Sequence, residues 1–146
     1  MKEIVVIRGD EVKRQSLPGS GGEEAGWMKR IVYPPNVISK GTFMGTAEVN
    51  PGYSPHRWHN HTSDKSQNYE VVYPENFEEI YHILSGRGVV QWKTEGGEVR
   101  EEKVGPGDTV FFPAGVGLHQ LLNDGKEKIV MVFCGSPTAR VTIKQS

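Results

Sequence analysis

Glu79-Ile80-Tyr81-His82-Ile83-Leu84-Ser85-Gly86, followed by Arg87-Gly88 and the run Val89-Val90-Gln91-Trp92, is the stretch on which the reading of the fold turns. Two short apolar runs separated by glycines read as two strands and a tight turn. Alternate residues of a strand point to opposite faces, so Glu79, Tyr81 and Ile83 share one face and Ile80, His82 and Leu84 the other. A carboxylate on the inward face is costly to bury unless it is paired or coordinated.

Working outward, similar runs occur at Ile4 to Ile7, Thr42 to Val49, Thr109 to Phe112 and Lys128 to Phe133, and the first of these reads as the opening strand. The 18 glycines and 9 prolines punctuate them throughout. No segment keeps the i, i+3, i+4, i+7 pattern over the length that an amphipathic helix needs. The expectation is an all-β chain with little helix, folded as a small antiparallel sandwich or barrel.

The 146 residues are read as one domain, 1–146, with strands and a flexible Gly-rich loop in the first 50 residues. That loop, Pro18 to Glu24, lacks the Gly-Lys-Ser/Thr ending of a phosphate cradle. No nucleotide, haem or flavin signature is present. Lys plus Arg number 17 against 18 Asp plus Glu, without runs of like charge, so neither nucleic acid nor a membrane surface is an expected partner. The apolar run at the amino terminus is too short for a secretory core or a membrane span. Cys134 is the only cysteine, which rules out an intrachain disulfide and points to a reducing, cytoplasmic setting. Its neighbours Val130 to Phe133 suggest a small buried hydrophobe rather than a nucleophile.

The chemistry lies in three places. His59-Asn60-His61 puts two imidazoles on one face of an extended segment, where both can meet one ion. Glu79 offers the carboxylate already described; the adjacent Glu78 is a fallback of the wrong strand parity. Gly107-Asp108-Thr109-Val110-Phe111-Phe112-Pro113-Ala114-Gly115-Val116-Gly117-Leu118-His119 is a strand, a Pro/Gly turn and a histidine that begins the returning strand. Three imidazoles and a carboxylate form a mixed N/O set suited to Fe, Mn, Ni, Co or Zn rather than to Ca or Mg.

These two segments resemble the paired motifs of the cupin superfamily. The first, within 52–86, reads Gly52, six residues, His59-Asn60-His61, an insertion over 62–78, Glu79, six residues and Gly86. The second, within 107–123, reads Gly107, Pro113-Ala114-Gly115, three residues, His119 and Asn123, with one residue more before the histidine than the family pattern. The resemblance implies a double-sheet jelly-roll barrel that holds one divalent transition metal through His59, His61, Glu79 and His119. It also implies a homodimer, with the amino-terminal strand as a candidate exchanged element. Asn123 is expected to be structural.

Near these motifs, Tyr81 shares the face of Glu79 and is a candidate catalytic acid. His56 is a candidate catalytic or metal-supporting group. His82 is expected to face away from the metal. Of Val90/Trp92 and Gln91/Lys93, one pair must look inward. The insertion is expected to form a loop with one extra short strand, placed to act as a lid. Arg57, Trp58, Tyr69, Tyr73 and Phe77 are read as an aromatic, partly basic rim for an anionic or cyclic substrate. The functional expectation is a metal-dependent enzyme that acts on a small oxygen-rich molecule by Lewis-acid chelation and proton transfer, as an isomerase, lyase, decarboxylase or cyclase does. A metal-dependent dioxygenase and a non-catalytic, ligand-sensing barrel are the alternatives.

Overall fold

The computed structural model describes residues 2–18, 22–65 and 69–143. The strands are β1 (Gln15–Ser16), β2 (Gly26–Val32), β3 (Phe43–Val49), β4 (Ser63–Lys65), β5 (Tyr69–Val72), β6 (Glu78–Ser85), β7 (Gly88–Lys93), β8 (Val99–Val104), β9 (Thr109–Phe112), β10 (His119–Leu122), β11 (Ile129–Ser136) and β12 (Arg140–Ile143). Among the described residues the helical structure is a single 3-10 turn at Gly9–Glu11. The chain is all-β and antiparallel, as the sequence predicts.

Six strands form the main sheet in the order β1-β2-β3-β11-β6-β9, and β10-β7-β8 form a second sheet. Period-two burial shows which face of each strand looks inward. Phe43, Gly45, Ala47 and Val49 do so from β3, and Ile129, Met131, Phe133 and Gly135 from β11. Glycine occurs where rings need the room: a Cβ on Gly135 would stand 2.6 Å from the Phe43 ring and 2.7 Å from that of Phe77. On β6 the inward positions are Glu79, Tyr81 and Ile83, so this strand passes from a carboxylate into the apolar core. Ile83, Leu121, Ile129 and Met131 are fully enclosed there.

The insertion forms two strands, β4 and β5, where one was expected. β5 pairs with β4 and with β12 in a third sheet. This sheet is tied to the main one by the Val141 amide, which donates to the Tyr33 hydroxyl at 2.7 Å. Another correction concerns Ile4 to Ile7, which belongs to no strand: Ile4, Val5 and Val6 are 94%, 58% and 66% exposed. An isolated apolar run satisfies strand propensity, but only a partner strand supplies the ladder bonds. Residues 19–21 of the Gly-rich loop lie outside the described residues.

Cys134 also departs from expectation. It lies half-buried on the outward side of β11, where alternation places every second residue of an apolar run. Partial burial and then the charge of Glu79 hold its thiol above the ordinary cysteine range, opposite to what a nucleophile needs.

Candidate metal centre

His59 and His119 meet across a two-residue bridge in which each backbone amide donates to the other's carbonyl, at 3.1 and 2.9 Å. The turn after β9 therefore returns His119 beside the first histidine pair. His59 Nδ1 lies 2.8 Å from the Arg57 carbonyl oxygen, and His119 Nδ1 lies 2.8 Å from that of Gly117. A carbonyl can only accept, so each Nδ1 carries the proton and each Nε2 keeps its lone pair. These two Nε2 atoms, together with both ring nitrogens of His61, are buried without a hydrogen-bond partner. Buried polar atoms seldom remain unpaired, and three neutral rings, each with one lone pair, ask for a common acceptor of those lone pairs.

The donor atoms of His59, His61 and His119 lie within 4.8 Å of one another. Burial is the first cause that keeps all three rings neutral. It pushes His61 and His119 down to about 4, and holds His59 well below the ordinary value with help from the neighbouring histidines. Neutral imidazole is the ligating form.

Glu79 Oε1 stands 3.3 Å from His61 Nε2, although the pair is not aligned as a hydrogen bond. Two ligands bonded at about 2.1 Å to one ion stand roughly 3.0–3.4 Å apart at right-angled to tetrahedral geometry. Glu79 is thus adjacent to His61, while the donors that all lie close enough together to share one ion are those of the three histidines. Burial drives the Glu79 carboxyl up to about 8, with the charges of His56 and Arg30 pulling the other way. A divalent cation beside it supplies the compensation that burial removes. The side chains present thus fit a transition metal: three imidazole nitrogens and an adjacent carboxylate. Glu78 is exposed and turned away.

The aromatic packing around the rings fixes them. Phe77 meets His61 edge-on with centroids 4.9 Å apart, Tyr73 lies 4.8 Å from His61, and Phe112 lies 4.6 Å from His119. His56 is buried and stacks on His59 at 3.5 Å and 12°. Tyr81 is buried in contact with Phe112. Burial first, then the charges of Glu79 and Tyr73, hold its hydroxyl well above the ordinary tyrosine range, so Tyr81 stays protonated. His56, Tyr73, Glu79 and Tyr81 open onto one interior cavity of about 50 Å³, which Val71 and Val141 help to wall.

A family model for the Cupin domain matches residues 73–135, and no curated protein matches the sequence. Among solved structures, a protein described as a predicted oxalate decarboxylase from Thermotoga maritima is 23% identical, with 92% of this chain and all of that one covered at a TM-score of 0.63. The polyketide cyclase RemF from Streptomyces resistomycificus is 18% identical, covering 100% of this chain and 87% of the other, also at 0.63. A provisionally assigned sugar phosphate isomerase from Acidithiobacillus ferrooxidans is 21% identical over 70% of this chain, at 0.50. This chain spans 55% of that protein.

Residues 73–135 thus carry a match to the Cupin domain family, and the chain has the fold of the cupin-like structures it resembles. The other site expectations fare unevenly. His82 faces outward and shares a 2.9 Å hydrogen bond with the Thr109 hydroxyl. Val90 is buried and Trp92 packs against the core, so that pair looks inward. The rim is largely redrawn. Phe77 is core, 1% exposed, because its ring fills the space above Gly135. Arg57 is exposed, and Trp58 lies beneath the Lys93 ammonium at 5.6 Å, so neither joins Tyr73 on the cavity wall. The Tyr69 side chain lies outside the described residues. Sequence reading missed Arg30, buried at 9% exposure on β2 and lining the same cavity. Its signal was available: within Gly26 to Val32, Arg30 has the parity of the buried Gly26 and Met28.

Proposed function

We propose that this cupin-like chain is a metal-dependent enzyme acting on a small oxygen-rich organic molecule, with proton transfer as its central step. The observation that carries the reading is the set of buried, unpaired imidazole nitrogens, joined through Glu79 beside His61 and His56 stacked on His59 to a cavity that Tyr81 also lines. His59, His61, Glu79 and His119 would hold the ion. When bound, it supplies Lewis acidity that favours negative charge developing on substrate oxygens. Tyr81, protonated and buried, donates its hydroxyl proton to the substrate as a hydrogen bond or in transfer. His56, which lines the same cavity and is held by its stacking on His59, accepts or returns a proton. Tyr73, Val71 and Val141 exclude water, and the β4–β5 insertion serves as the lid. The similar structures carry names of decarboxylase, cyclase and isomerase chemistry, and all three need a substrate stabilised while it gains or loses a proton.

The test is elemental analysis of freshly purified protein together with its optical spectrum. About one transition-metal ion per chain is expected, and loss of that stoichiometry in His61→Ala with the β-sheet circular dichroism retained. Protein that carries no metal and takes none up on incubation sinks the reading.

The same reading includes a homodimer formed with a second copy of this chain. It is supported by the exposed apolar segment at Ile4 to Val6 and by Ile80, Leu84 and Phe111, exposed on the outward faces of the adjacent strands β6 and β9. A cytoplasmic setting is proposed on the single free thiol of Cys134.

A further inference from the structure

β8 and β9 follow one another through the turn Gly105 to Asp108, yet among the described residues no ladder joins them: β8 pairs with β7 and β9 with β6, so each is the free edge of its sheet. The turn itself is fixed. The Asp108 amide donates to the Gly105 carbonyl at 3.0 Å and the Gly105 amide to Asp108 Oδ2 at 2.7 Å, while backbone bonds to and from Ile83, at 3.0 and 2.8 Å, fasten the turn to β6. Between the two edges lies a cleft of about 420 Å³, a size suited to a small molecule, whose sites run roughly from 300 to 1,000 Å³. Its walls are apolar: Trp92, Val104, Val110 and Val116 are packed on the core but only partly buried, and Phe112 is buried among them. His119, 1% exposed, lies at its floor, and the exposed Glu102 of β8 stands at its mouth. Neither lysine nor arginine lines it. The cleft shares no lining residue with the interior cavity, although Phe112 of the one packs on Tyr81 of the other with ring centroids 4.8 Å apart.

We propose that this cleft is a second ligand site, taking a small aromatic molecule that carries a positive charge. The inference goes beyond the metal reading and does not depend on it. Apolar side chains left partly in water are unfavourable, a ring that fits between the strand edges covers them, and Trp92 and Phe112 supply aromatic partners for it. Charge then selects among rings. Glu102 at the mouth, with no cationic side chain on the lining, favours an ammonium group and disfavours a carboxylate. Phe111 also lines the cleft and is 56% exposed on the outward face of β9, so a second copy of this chain is the rival occupant. A copy seated there would close the mouth, and small molecules would then fail to enter.

The experiment is titration of the isotope-labelled full chain, with and without added zinc, followed by its amide and indole NMR shifts. The probes share one ring and differ in charge: tryptamine, its neutral counterpart tryptophol, and indole-3-acetate. Saturable shifts are expected at Trp92 and along Val104 to Val116, with tryptamine bound about two- to fivefold more tightly than tryptophol, as an exposed ion pair allows, and indole-3-acetate the weakest. Glu102→Gln is expected to bring tryptamine and tryptophol to equal affinity while tryptophol still binds. Val116→Trp, which fills the cleft with a ring of its own, is expected to abolish binding of every probe; Glu102→Gln, an exposed change, keeps the test decisive if that variant does not fold. A wild type without saturable shifts, shifts that map to the cavity of His56 and Tyr81 instead, or a tryptamine preference that survives Glu102→Gln each overturn the proposal. Failure of the metal reading shows separately, as chain that takes up no zinc.

Discussion

Protonation governs how His59, His61, Glu79 and His119 act together, and burial moves the two residue types in opposite directions. The histidines ordinarily titrate near 6.5, and in the fold His61 and His119 do so at about 4, with His59 also well below 6.5. Between about 4 and 6.5 the unfolded chain therefore binds more protons at these positions, and stability of the metal-free protein rises with pH. Glu79 shifts from 4.5 up to about 8, so the folded chain keeps a proton that the unfolded chain has released, and this contribution falls as pH rises through that window. Three histidines outweigh one carboxyl in the overlap, and above 6.5 Glu79 acts alone. Metal-free protein is expected to show its highest Tm near pH 6.5 and a decline toward pH 8, whereas metal-loaded protein, with Glu79 held as a carboxylate, should lose that decline. Tm against pH with chelator and with added zinc checks this; an unchanged decline in the loaded form would remove Glu79 from the ligand set.

Strands set the positions of these residues, and their turns are the sensitive points. Gly86 follows β6 with a φ of +82°, and a Cβ there would stand 2.8 Å from the Ile129 Cα and closer still to the Lys128 carbonyl oxygen. Gly86→Ala is expected to cost about 2–3 kcal/mol in urea unfolding, from strain and from pressure on the β6–β11 pairing that places Glu79 and Tyr81. Asn123, at the end of β10, is fully buried and donates to the carbonyls of Val49 at 2.9 Å and Glu127 at 2.8 Å while accepting from the Gly125 amide at 3.1 Å. Asn123→Leu leaves those backbone groups unpaired and should cost about 2–4 kcal/mol by the same measurement. Motif spacing revealed both residues, because a left-handed turn demands glycine and a buried turn needs a side-chain amide. The charged strand β8, Val99–Val104, went unread because its side chains are mostly exposed and only pairing with β7 makes it a strand.

For the whole molecule, the apolar segment at Ile4 to Val6 and the outward β6 and β9 side chains predict association. Sedimentation should give the mass of two chains, and removal of residues 1–8 should shift the equilibrium toward one. A full chain that sediments as a monomer at tens of micromolar would overturn the homodimer. The third sheet matters at this scale as well. It couples the insertion to the carboxy-terminal strand β12, so the cavity is walled by segments far apart in sequence, with Val71 of β5 paired directly to Val141 of β12 and Tyr73 and Ala139 lining the same cavity.

The sequence by itself determined the all-β class, the inward parity of Glu79 and Tyr81, and the histidines able to face one ion. Each follows from local rules: two-residue strand periodicity, turn chemistry and the spacing of ligating groups. Tertiary structure alone decided which nitrogens are left unpaired, since that depends on the Arg57 and Gly117 carbonyls reaching Nδ1 of His59 and His119. It also turned Phe77 into core, left Ile4 to Val6 without a strand partner, and brought Arg30 into the cavity with Glu79. Those outcomes depend on packing between distant strands, where a side chain's surroundings come from residues that its own segment does not contain.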